Sequence, residues 1–161
     1  MKKITYLAIS FVLLICVNGC TGYEPIFSST KSQIEIVEHS IKGNKKLGNK
    51  IYSQLRKAFG SNKNNPNAKT VHATIEVLKN KNATVKNSAG KILEYKIIIN
   101  TNILLKDSLT EDVILNYSES ASSSYKIQDQ YSETKKMENK TTENLINKIY
   151  QDILIKISVI K

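Results

Sequence analysis

The chain has 161 residues and carries 24 Lys+Arg against 14 Asp+Glu, a formal charge of +10 with an isoelectric point near 9.5. That length suits one domain with its own core, and 40% hydrophobic with 24% charged residues excludes both a disordered polyampholyte and an integral membrane bundle. With two Cys, two His and no Trp there is no material for a disulfide scaffold, and a Cys₂His₂ metal centre would need every one of the four.

Lys2 and Lys3 form a short positive start, followed by the apolar run Tyr6–Val17. Twelve residues are too few to span a hydrocarbon core, which takes about 20. The run ends in Val17-Asn18-Gly19-Cys20, an aliphatic residue, a small residue and then Cys. This resembles the lipobox of bacterial lipoproteins, which implies cleavage after Gly19 and acylation of Cys20. Residues 1–19 are then a signal peptide, 20–32 a lipidated Cys with a flexible tether, and 33–161 one domain. Several acyl chains supply the two or more anchors that stable membrane attachment requires. Removing Lys2 and Lys3 takes the charge from +10 to +8, and no free thiol remains. Export also removes nucleic acid as a partner despite the basic charge. Arg56 is the only arginine among the 24 basic residues, so an AT-rich codon pool accounts for many of the lysines.

Gly22, Pro25 and a Ser-Ser-Thr run make the tether extended. Gln33–Val37 alternates and predicts a first strand. In Asn44–Phe59, Leu47, Ile51, Leu55 and Phe59 make one apolar stripe at helical spacing, with Asn44 as cap and Gly60 past the end. The polar run Ser61–Lys69, containing Pro66, reads as a loop. Thr70–Lys79, Glu94–Lys106 and Asp112–Ser118 each alternate with period two, predicting strands joined by turns near Asn87–Gly90 and Asp107–Thr110. Thr134–Ile157 carries Met137, Leu145, Ile149, Ile153 and Ile157 at multiples of four, predicting a long helix. The order β-α-β-β-β-α predicts an α+β two-layer sandwich, with both helices on one face of a four-stranded mixed sheet.

No Ser-His-Asp logic, HExxH, phosphate loop or catalytic carboxylate pair is present, so neither an enzyme nor a cofactor is expected. His39 and His72 stand far apart, His72 on the polar side of its strand. The sheet face away from the helices is more informative. Ile98, Leu104 and Ile114 fall on it where polar residues are expected, which marks a partner-facing surface. Lys79, Lys81, Lys86 and Lys91 gather around the first hairpin turn with no acidic residue between Lys79 and Lys91. Such a tip can attract an anionic glycolipid, and it also reads as a solvated lysine-rich turn.

Cys20 followed by Gly22-Tyr23-Glu24-Pro25-Ile26-Phe27 resembles the opening of the lipopolysaccharide-assembly lipoproteins of the LptE type, with Thr21 inserted. Leu47-Gly48-Asn49, Leu93-Glu94-Tyr95-Lys96-Ile97, and Ser123-Ser124-Tyr125 with Tyr131 follow in the family's order. The resemblance runs from Cys20 to about Ile160. It implies a non-enzymatic lipoprotein on the periplasmic face of the outer membrane. Such a protein plugs the lipopolysaccharide-inserting β-barrel of the LptD type and binds lipopolysaccharide through basic residues. The four hairpin lysines are offered for that role on charge clustering alone. An auxiliary periplasmic lipoprotein of a phospholipid ABC transport system remains the alternative.

Overall fold

The computed structural model describes residues 34–59 and 68–159. The signal segment, Cys20, the tether, Gly22–Phe27, Gly60 and the loop 61–67 lie outside the described residues. The elements run β1 (Ile34–Gly43), α1 (Lys45–Phe59), β2 (Lys69–Lys86), β3 (Ile92–Asp107), β4 (Val113–Lys126) and α2 (Tyr131–Ser158). The sheet order is β1-β2-β3-β4, with β1 parallel to β2 and the other pairs antiparallel. This is the predicted α+β sandwich with its β-α-β-β-β-α order.

Alternation sets which face is buried. In β2, Val71, Ala73, Ile75 and Val77 point inward; in β3, Ile97, Ile99, Thr101, Ile103 and Leu105 do the same, and all are buried. α1 packs on β1 and β2, α2 on β4 and β3, and the helices touch each other. Ile51 and Leu55 of α1 and Ile146, Ile149 and Ile153 of α2 complete the core. Each such side chain is worth about 2 kcal/mol of burial, so this seam outweighs any single polar contact.

The join of β1 to α1 depends on two glycines. Gly43 has φ +72°, and a Cβ there would lie 2.3 Å from the Val77 carbonyl oxygen. At Gly48 a Cβ would meet Ile41 Cγ2 at 2.4 Å, so any side chain there must displace Ile41. Asn44 caps the helix as expected, its Oδ1 accepting from Leu47 N at 3.2 Å. At the first hairpin turn Asn87 Oδ1 accepts from Ala89 N and Lys91 N, and Gly90 has φ +79°.

Several elements exceed their predicted bounds. β1 continues to Gly43 across an irregularity between Ile36 and Glu38. β2 continues to Lys86, forming a long hairpin arm with β3. β4 runs on through the serines to Lys126, because Ser118 and Ser120 face outward while Ala121 and Tyr125 are buried on the α2 side. Met137 leaves the predicted α2 stripe and is exposed, while Glu138 turns inward. Repeats of four drift about 40° per step on a helix of 3.6 residues per turn, so a residue eight before Leu145 has left the buried face.

Replacing Gly43 by Ala forces a side chain into the left-handed region and against the Val77 carbonyl. A loss of about 2 kcal/mol in urea unfolding is expected, whereas Gly90→Ala, with nothing within 4 Å of its Cβ, loses less.

Candidate functional site: the open sheet face and the hairpin arm

With both helices on one side, the even-numbered side chains of β3 emerge on the other. Ile98 and Leu104 sit there, half-buried, each between inward neighbours that are fully buried. Between them runs a polar ladder: Ser120 Oγ meets Asn100 Oδ1 at 2.7 Å and Ser118 Oγ meets Asn102 Oδ1 at 3.4 Å. Leu78, 49% exposed, stands opposite Asn100. Leu78, Glu76 and the four ladder residues line a shallow depression of about 280 Å³, with Ile98 and Leu104 outside it. Ile114 is not part of this face. The pairing slips between Leu105 and Lys106, leaving Ile114 unmatched, and its side chain packs against the helix-side core. Such a bulge re-aims side chains. Val113, opposite Lys106 and 58% exposed, takes the outward position instead.

At the β1 side of the same face His72 lies between two carboxylates, 3.7 Å from Glu38 and 3.5 Å from Glu111, and Lys106 also meets Glu111 at 3.5 Å. His39 instead stacks on Tyr52 of α1 at 3.7 Å. Among the described residues no group of three His, Cys, Asp or Glu side chains is arranged to hold a metal, and no helix is long and apolar enough to cross a membrane.

The four hairpin lysines separate into two pairs. Lys79 and Lys81 carry on the inward parity of Val71–Val77 and reach α2, where Glu138 takes Lys79 at 3.2 Å and Lys81 at 3.0 Å. Lys135 adds a third contact at 3.3 Å, and the Tyr125 hydroxyl donates to the same carboxylate. Lys81 also lies 4.2 Å above the Tyr95 ring. These two lysines hold the arm to the helix and are not a free cationic tip. Lys86 and Lys91 are exposed at the turn.

Sequence reading missed Glu138. The signal was a carboxylate on the apolar stripe, seven residues before Leu145. Burial pushes its carboxyl up, but hydrogen bonds from Lys81 and Lys79 outweigh this and bring it to about 2. The Tyr125 hydrogen bond raises the Lys81 ammonium above its ordinary value, and burial raises the Tyr125 phenol. On β4, Tyr117 donates to Glu119, which lifts the phenol to about 12.

A depressed carboxylate gives stability that is full above the ordinary carboxyl range and is lost as pH falls toward 2. Unfolding free energy should therefore drop by on the order of 3 kcal/mol from pH 6 to pH 2 through this group. Glu138→Gln should cost about 2 kcal/mol at pH 7 by stranding Lys79 and Lys81 and should flatten that decline; urea titrations at several pH values read both.

No family model matches the chain, and no curated protein is similar to it in sequence. Solved structures do match. A candidate lipoprotein from Caulobacter crescentus CB15 aligns with TM-score 0.53 at 15% identity, over 81% of this chain and 92% of that one. The rare lipoprotein B from Shewanella oneidensis gives 0.52 at 14% over 75% and 93%. An uncharacterized lipoprotein B from Nitrosomonas europaea gives 0.53 at 13% over 76% and 83%. The chain therefore has the fold found in these bacterial lipoproteins.

Proposed function

We propose that this chain is a non-enzymatic outer-membrane lipoprotein of the lipopolysaccharide-assembly type. It is anchored at Cys20 on the periplasmic face and seated as a plug in the lumen of the lipopolysaccharide-inserting β-barrel. The observation that carries the reading is the open sheet face. A two-layer domain normally shows water a polar outer surface, yet this one presents Leu78, Ile98 and Leu104 around an Asn-Ser ladder. A barrel lumen is polar with a covering wall, so it matches both parts. The lipobox-like end and the fold shared with lipoproteins agree with this setting. Of the four lysines first considered for lipopolysaccharide, Lys86 and Lys91 remain available at the turn, whereas Lys79 and Lys81 are engaged by Glu138.

Purification of the chain in mild detergent should bring down a barrel protein several times its mass, and depletion should reduce surface lipopolysaccharide. Ile98→Asp with Leu104→Asp should cut barrel recovery at least tenfold while the isolated domain still folds, because both side chains are only half-buried and lie outside the core. Recovery of the chain alone, with normal surface lipopolysaccharide after depletion, contradicts the proposal.

A further inference from the structure

Charge is distributed unevenly along this chain. Between Glu38 and Glu76 stand eight basic residues and no acidic one, whereas residues 95–161 hold nine of each. One codon pool serves both stretches, so composition alone does not explain the difference. The fold turns the imbalance into a surface. In α1, Leu47, Ile51, Leu55 and Phe59 are buried, and Lys45, Lys46, Arg56 and Lys57 are exposed on the opposite side with Asn49 and Ser53 between them. Lys50 is tied to Glu143 of α2, but among the described residues none of the other four is in an ion pair. α2, by contrast, mixes five lysines with four carboxylates. The chain's single arginine lies on the α1 face.

We propose that, before the domain enters the barrel, this outer face of α1 rests on the headgroups of an anionic phospholipid bilayer. No apolar side chain lies on the charged side, so contact is by charge at the surface, without insertion. The inference rests on the acylated Cys20 of the function proposed above but not on the barrel partner. Thirteen residues stand between Cys20 and Ile34, a reach of at most about 50 Å fully extended, so an anchored domain stays beside the bilayer. Because β1 and β2 are parallel, α1 runs back toward the start of β1. Arg56 and Lys57 thus lie at the end of the domain where the anchor segment enters. Each cation near an anionic surface is worth about a fivefold change in partitioning.

The acylated full chain carrying Ser53→Cys with a spin label, or Ser122→Cys on the open sheet face, would be reconstituted into vesicles. These would hold phosphatidylcholine with or without phosphatidylglycerol, plus a headgroup-attached nickel chelate. Mass spectrometry first establishes the acylated N-terminus; an unacylated chain refutes the anchor and this proposal together. The label at position 53 should collide with nickel at least fivefold more often in phosphatidylglycerol vesicles than in neutral ones, and the label at 122 should not. The gain should vanish in 1 M salt, where the Debye length is about 3 Å, and in Lys45→Gln/Lys46→Gln/Arg56→Gln/Lys57→Gln. A signal indifferent to lipid charge overturns the proposal, and so does one that survives the fourfold neutralisation. Approach seen only after lipopolysaccharide is added would assign the face to that glycolipid and overturn the bilayer reading.

Discussion

The alternation of β3 is the constraint on which the rest of this structure depends. Ile97, Ile99, Ile103 and Leu105 are each fully buried on the helix side of the sheet, and a one-residue slip of register would turn all of them to the other face. Because the helices occupy one layer only, that commitment leaves Ile98, Asn100, Asn102 and Leu104 uncovered. The open face follows from the packing and needs no local rearrangement to form. Its mixed character, serine and asparagine between aliphatic side chains, is unlike a surface shaped only by water and suits a covering wall that is itself mostly polar.

Charge adds a second layer of organisation. Glu138 gathers Lys79, Lys81 and Lys135 within 3.3 Å and joins the base of the hairpin arm to the first turns of α2. Leaving that carboxylate without cations would expose the domain to the full cost of a buried charge. Lysines that look equivalent in the sequence therefore do different work: those of inward parity lock the fold, and those at the turn and on α1 remain on the surface.

Most of the architecture was legible in the sequence because periodicity reports directly on burial. The helix stripe at Leu47, Ile51, Leu55 and Phe59, the inward rows of β2 and β3, and both turns are all found where their patterns place them. Reading failed where local pattern and tertiary register part. A bulge opposite Leu105 and Lys106 moves Ile114 to the core side, and no one-dimensional alternation reveals it. Serine is a poor strand former, so β4 reads short, although Tyr117, Ala121 and Tyr125 keep its inward parity. Glu138 escaped notice because its partners are 57 and 59 residues away in the chain.

The claim that a larger companion covers the open face is tested most directly by thiol labelling along β3. Single cysteines would replace Ile97, Ile98, Ile99, Asn100, Ile103 and Leu104 in turn, in a mature chain whose remaining Cys20 is acylated. In the purified domain, positions 98, 100 and 104 should react and 97, 99 and 103 should not. In intact cell envelopes the even positions should become protected as well. Even positions that react as fast in envelopes as in the isolated protein would contradict the account.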